Sequence, residues 1–349
     1  MEGYLVLENG EVFKGIKIGK KDNIVVNVVH NNIKKGIVEL ITNPTTLGQG
    51  IVLNTSYLFL EKIDKQKFQS DYVCASSIIT EKIIGNEEIL NNFCEQNGIV
   101  ILKNIDTQKL ISSLEKNGEM LGMIVSNCEN IKEIIDKIKK YNVQIDLQNI
   151  MVDRIYAYGK SKPKSIGIID FGFKHGLVND FLKKDIGVSI YTYDTPIERI
   201  ITAKHNGIVL SDGPENINID EKEKVINLIQ KLTRIKLPIL CIGKGHRLMC
   251  EANEIKLKTL KKGKRGVNFF VKDTLNEKLY VTTQNTKYYI DEKLIQNENI
   301  IVRFKDLKDE TVTGIEYKLK PIISVEFDIT GMPGSLDGNQ ILDEFIEKL

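Results

Sequence analysis

A chain of 349 residues, 42% hydrophobic and 28% charged, is too long for one ordinary core and has the composition of a globular protein, which points to two domains. Its 49 basic and 47 acidic side chains leave a net charge of only +2, so charge selects neither nucleic acid nor a membrane as partner. Five cysteines (Cys74, Cys94, Cys128, Cys241 and Cys250) form no CxxC or Cys/His spacing; no disulfide framework and no metal site is expected, and each reads as a small buried hydrophobe in a reduced compartment.

The first part, residues 1–155, opens with short apolar runs broken by Gly and Asn: "YLVLENGEVFKGIKIG", "NIVVNVV", "GIVELIT" and "GIVLNTS". These predict β-rich structure. The start "MEGYLVLENGEV" alternates like a strand, unlike a leader, and no run reaches the roughly eighteen apolar residues of a membrane span, so a cytoplasmic protein is expected. "EEILNNFCEQNG" and "TQKLISSLEKNG" have helical spacing and end in Gly, as helices closed by a left-handed residue do.

The polar stretch "YAYGKSKPKS" lacks an apolar period and carries Gly and Pro, which places a linker at 156–164. From 165 to 349, apolar runs alternate with helix-like segments: "SIGIIDFG", "HGLVNDFLKKD", "GVSIYTY", "IERIITAKH", "GIVLSDGP", "EKVINLIQKLTRI", "LPILCIG", "HRLMCEAN". This alternation predicts a doubly wound α/β domain, a mostly parallel sheet with helices on both faces. Ligands of such sheets bind beyond the carboxyl ends of the strands, so "IIDFG", "VLSDGP" and "LCIGKG" should open onto one edge. Farther on, "EIKLKTLKKGKRG" gathers Lys256, Lys258, Lys261, Lys262, Lys264 and Arg265, and alternating Ile255 and Leu257 with a Gly-containing turn read best as a solvated hairpin.

"LPILCIGKGHRLMC" is a buried strand, a sharp turn and a helix, the frame on which many enzymes mount a nucleophile next to a helix N-terminus that favours negative charge. Here Gly243 stands at the tip. The block resembles the nucleophile block of class I glutamine amidotransferases, P-[VI]-x-G-I-C-x-G-H-Q, with Gly243 at the Cys position. In the first domain "NNIKKGIVELITNPT" is similar to F-N-T-x-M-T-G-Y-Q-E-[IV]-L-T-D-P-S, and "GIVILKNIDTQKLISSLEKNGEMLGMI" matches a G-I-x-x-I-D-T-R-x-L block. In the second, "IIDFGFKHGLV", "GIVLSDGPENI", "GVNFFVKD", "TTQNTKYYIDEKLI" and "PIISVEFDITGMPGS" fall in the same order as blocks of that family. Together these narrow the resemblance to the small subunit of carbamoyl phosphate synthetase, over nearly the whole chain.

The resemblance implies a β-rich small-subunit domain followed by an amidotransferase-like α/β domain, with no cofactor. It also implies a triad of Cys, His and Glu, in which the base draws a proton from the nucleophile and the third group orients the base. Those positions hold Gly243, Asp328 and Thr330. The glutamine-binding positions it implies are Thr45, Gly213, Glu215, Lys244, Arg247, Asn285, Lys287 and Tyr288; Glu215, Arg247 and Lys287 depart from the pattern and should crowd a pocket. Cys241 precedes the elbow by two residues, about 6–7 Å back along a strand, and is expected to be a core residue and not a substitute nucleophile. His246 reads as a structural hydrogen-bonder. The "SDGP" turn offers backbone N–H groups to an anion in the manner of an oxyanion hole.

In the family the small subunit makes ammonia from glutamine for an ATP-using large subunit in carbamoyl phosphate synthesis for pyrimidines or arginine. This chain is therefore expected to be a non-hydrolytic pseudoenzyme, a scaffold or regulatory partner of a large subunit that uses free ammonia. The alternative is a repurposed ligand- or protein-binding pseudoenzyme without a synthetase partner; an active amidotransferase ranks below both.

Overall fold

The structure, a computed structural model, describes residues 1–55, 57–60, 63–142, 145–146, 148 and 150–349. The chain forms two compact units, Met1–Val143 with Lys261–Gly266, and Gln144–Leu260 with Val267–Leu349. Where the sequence reads as a linker, at 156–164, Tyr156–Tyr158 forms an edge strand of the second unit's sheet.

The first unit runs β1 (Glu2–Leu7), β2 (Val12–Gly19), β3 (Ile24–Asn31), α1 (Ile37–Ile41), β4 (Gln49–Leu53), β5 (Tyr57–Leu60), β6 (Ser77–Ile79), β7 (Lys82–Gly85), α2 (Glu87–Asn97), β8 (Val100–Lys103), α3 (Thr107–Asn117), β9 (Met120–Val125) and α4 (Ile131–Lys140). Seven of these strands close a barrel in the order β1-β2-β8-β6-β4-β3-β9, and β5 pairs with β7 beside it. Closure leaves the barrel no free edge, and its interior is filled by Leu5, Leu7, Val26, Val28, Val52, Ile79 and Leu102. Along β2 the buried positions are Phe13, Gly15, Lys17 and Gly19 while Ile16 is exposed, so the inward phase includes a lysine. Lys17 is accommodated because its Nζ donates to the carbonyls of Lys21 and Asp22 at 2.8 and 2.7 Å.

One expected strand is a helix instead. "GIVELIT" begins at Gly36 in the left-handed region and turns into α1, which buries Ile37, Val38, Leu40 and Ile41. Two apolar pairs split by Glu39 can serve either a strand or a short helix, and the left-handed Gly starts the turn. The two helices marked by terminal Gly form as expected: α2 is capped by Asn86, which accepts from Glu88 N and Ile89 N, and ends at Gly98 with φ 70. Asp106 caps α3 by accepting from Lys109 N at 2.9 Å.

The second unit contains β10 (Tyr156–Tyr158), β11 (Lys164–Ile169), α5 (His175–Lys183), β12 (Ile186–Tyr191), α6 (Ile197–Thr202), β13 (Gly207–Leu210), α7 (Ile219–Leu232), β14 (Ile239–Ile242), α8 (Lys244–Ala252), β15 (Leu257–Asp273), β16 (Leu279–Ile290), β17 (Ile300–Asp306), β18 (Val312–Tyr317), β19 (Ile322–Val325) and α9 (Asn339–Glu347). Its sheet has the order β10-β12-β11-β13-β14-β19-β18-β16-β15-β17, and β12, β11, β13, β14 and β19 run parallel. The α/β architecture agrees with the β/α alternation of the sequence. The chain passes from β11 out to β12, then reverses to β13 on the other side. That reversal opens a crevice where the exits of β11 and β13 lie side by side.

The basic stretch 256–265 departs from the solvated hairpin expected of it. Its residues 258–265 lie in the long strand β15, and Lys264 and Arg265 are buried. Within the first unit Arg265 donates from Nε and Nη2 to the two carboxylate oxygens of Glu119 at 2.6 and 2.7 Å, and Lys262 pairs with Glu115. Lys258, Lys261 and Lys262 stay exposed, and a carboxylate partner placed far away in sequence, which buries Arg265, is invisible to local pattern. Among the described residues no helix is long and apolar enough to cross a membrane, and no group of three His, Cys, Asp or Glu side chains is arranged to hold a metal ion.

Candidate functional site

Three exits of the parallel strands and the stretch after β19 meet beyond their carboxyl ends. After β11, Asp170 turns the chain by accepting from Gly172 N at 2.7 Å and Phe173 N at 2.9 Å with one oxygen and from Val152 N with the other. Burial raises its pKa while those three N–H donors oppose the shift. After β13 comes Ser211, whose hydroxyl accepts from Phe171 N at 2.9 Å and donates to Asp212 O. Gly213 packs so tightly on Phe171 that a Cβ would lie 1.9 Å from the Phe171 carbonyl oxygen, so no other residue fits there.

β14 delivers Gly243 to the elbow. Its φ of 49 and ψ of −105 are strained for a residue with a Cβ, and its N–H is tied to Val325 O of the neighbouring strand at 2.8 Å. α8 starts at once. Gly243, the residue that precedes it at the N-cap, supplies no side-chain cap, and the cap comes from another segment: Asp212 Oδ1 accepts from Lys244 N at 2.8 Å and from Gly213 N at 2.7 Å. The sequence offered the SDGP turn as a pair of donors for an anion; the anion present is the carboxylate of that same turn. A Cβ on Gly243 would stand 2.1 Å from Asp212 Oδ1 and 2.3 Å from its Cγ. The space for any side chain at 243 is therefore held by Asp212. Loss of water raises the pKa of that carboxyl, with the positive charge of Arg247 the main opposing influence and Lys174 also contributing.

Within the second unit Glu215, Lys244, Arg247, Lys287 and Tyr288 are linked to this elbow by contacts. Arg247 is buried on α8 and donates from Nη1 to Thr286 Oγ1 at 2.9 Å and to Glu326 Oε1 at 2.5 Å, with its guanidinium 5.7 Å from the centre of the Tyr288 ring. Burial pushes the Glu326 carboxyl up to about 8, against the pull of Arg247. Glu215 is buried and accepts the Lys287 N–H at 2.6 Å, while its carbonyl receives the ammonium of Lys244, also at 2.6 Å. Lys244 is buried too; desolvation, then the charge of Arg247, lowers its pKa to about 7. Lys287 itself is half-buried, with Nζ 5.7 Å from the Tyr288 ring centre. Asn285 sits beside Thr286 on β16, and Tyr288 reaches Asn216 at 3.4 Å.

Asp328 and Thr330 follow β19. Asp328 Oδ1 accepts from Thr330 N at 2.8 Å and Thr330 Oγ1 at 2.9 Å, and its second oxygen forms an ion pair with the buried Lys174. Its main-chain N–H donates to Thr283 O, which fastens the segment to β16. Asp328 is thus committed to a lysine and a threonine. Thr45 belongs to the first unit, where its N–H and hydroxyl both donate to Asn43 Oδ1. Cys241 is buried inside β14 with its thiol pushed up by burial, and His246 meets Ser324 Oγ at 2.7 Å with its pKa lowered to about 3. Neither is placed for nucleophilic or base chemistry.

Sequence reasoning missed Asp212, Lys174 and Glu326. The signal for Asp212 lay in a pair of departures from the motifs the chain resembles: an acid within the SDGP turn together with a glycine at 243. Each is unremarkable alone; together they exchange one occupant of the elbow for another. Lys174 and Glu326 gave no local signal, since their partners, Asp328 and Arg247, lie far away along the chain.

Residues 5–124 match the family described as Carbamoyl-phosphate synthase small chain, CPSase domain, and residues 167–328 match Glutamine amidotransferase class-I. Carbamoyl phosphate synthase small chain of Clostridium perfringens is 31% identical over 99% of this chain and 99% of its own length. That of Clostridium acetobutylicum is 28% identical over the same shares. A solved glutamine amidotransferase of Thermotoga maritima covers 53% of this chain and 84% of its own, at 14% identity and a TM-score of 0.40. The chain belongs to the carbamoyl phosphate synthase small chain family.

Proposed function

We propose that this small chain does not hydrolyse glutamine and serves as scaffold or regulatory partner of a carbamoyl phosphate synthetase large subunit that takes free ammonia. The observation that supports it is the elbow: Gly243 has no nucleophilic atom, and the space in front of it is held by Asp212. A glycine cannot form the thioester through which this family's chemistry runs, and in a serine protease loss of the nucleophile alone costs on the order of a million-fold in turnover. The residues at the base and orienter positions, Asp328 and Thr330, bond to each other and Asp328 to Lys174, so both are engaged elsewhere than with a nucleophile. Both family regions are kept across nearly the full length, which favours retention of the partner over a solitary binding protein.

Co-expression with the large subunit of the same organism tests this. A stable complex that makes carbamoyl phosphate from ammonia and ATP, with no rate above background from glutamine, is the expected result. Glutamine-supported synthesis at a rate comparable to ammonia would overturn the non-hydrolytic reading, and absence of any complex would overturn the partner.

A further inference from the structure

At this elbow two backbone N–H groups aim at one point, from the turn after β13 and from the first residue of α8. Here those donors, Gly213 and Lys244, both bond Asp212 Oδ1, at 2.7 and 2.8 Å. Gly243 beside them is buried, and the Asp212 carboxylate lies directly against it, with Oδ1 2.1 Å from where a Cβ on Gly243 would stand.

We propose that Asp212 is a built-in anionic plug: its carboxylate fills the two-donor cradle and the space before Gly243, so that the cradle accepts no external anion while Asp212 is in place. The inference rests on the non-hydrolytic reading of the same elbow and adds how the site is kept silent. A plug and a mere helix cap respond differently to shortening of the side chain. If Asp212 only caps α8, its loss weakens the helix start and nothing enters. If it plugs, its loss opens two convergent donors beside the positive end of a helix, which is a site for a small carboxylate.

The probe is formate, and the readout is the amide resonances of Gly213 and Lys244 in the full chain. With D212A, formate should shift both amides saturably in the millimolar range; with the wild type and with D212N, which keeps the size and an accepting oxygen, neither should move. Equal saturable shifts in the wild type would show an open cradle, and no shift in a folded D212A would show that nothing was being excluded; either result overturns the plug. Should D212A fail to fold, the thiol of G243C provides a second test. Iodoacetamide should alkylate the D212S/G243C thiol at least tenfold faster than that of G243C, and equal rates would overturn the proposal. Neither readout involves glutamine or the large subunit, so a failure here is distinguishable from a failure of the proposed function.

Discussion

His246 shows how far a single buried group is tuned by its surroundings. It is enclosed on α8, its Nδ1 lies 2.7 Å from Ser324 Oγ, and burial lowers its pKa from the ordinary 6.5 to about 3, with the charge of Arg247 acting in the same direction. Between about pH 3 and 6.5 the unfolded chain therefore takes up a proton that the folded chain refuses. Stability must fall as the pH drops through that window, by at most about 1.4 kcal/mol per pH unit from this one group. Urea unfolding of the wild type and of H246Q, compared at pH 7 and pH 4, should show the wild type losing more stability than the variant. Parallel losses would mean that His246 is protonated in the folded state. The role foreseen for this residue, a hydrogen-bonder and not a base, could be read from a lone His at a helix start; the depth of its burial could not.

At the scale of elements, the periodic pattern carried most of the fold. The β/α alternation from residue 165 onward is a direct record of a buried parallel sheet, because each strand must be apolar on both faces and each crossover needs an amphipathic helix. It failed where a short apolar run suits two structures, as in α1, and where long-range charge pairing buries residues that look solvated, as at Arg265. Arg303 is a second case of the latter kind. From β17 it donates to Asp273 at the end of β15, to Glu316 on β18, and with Nη1 and Nη2 to both oxygens of Glu344 on α9. Nothing in "IIVRFKD" announces that one side chain joins three strands and the last helix. Replacing Arg303 by Leu leaves the fully buried Asp273 without its cation, a loss of about 3–5 kcal/mol. α9 should also lose protection first in hydrogen exchange. A change below about 1 kcal/mol, with α9 protected as before, would show that the carboxylates find other partners.

Taken as a whole molecule, the chain keeps the frame of its family and reassigns the interior of the elbow, and the two differ in how legible they were. The frame is written in motif blocks spread along the chain; the substituted positions were readable as departures from those blocks. What occupies the elbow was not readable, because it consists of contacts between separate exits of the sheet: Asp212 with the start of α8, Lys174 with Asp328, Arg247 with Glu326. These contacts decide what restoring the triad residue types would do. In G243C/D328H/T330E, the Cβ at 243 meets Asp212, and the histidine leaves Lys174 buried without its carboxylate. The glutamate displaces a threonine whose N–H and hydroxyl both serve Asp328. Stranding a buried charge alone costs about 3–5 kcal/mol, a large part of the stability of an ordinary domain. The triple variant should therefore unfold at a markedly lower temperature than the wild type and release no glutamate from glutamine above background. Thermal unfolding and a glutamate-release assay on the same preparation check both parts. Turnover in a variant as stable as the wild type would mean that the charged contacts rearrange freely, and that three positions, not the network around them, decide glutamine hydrolysis at this elbow.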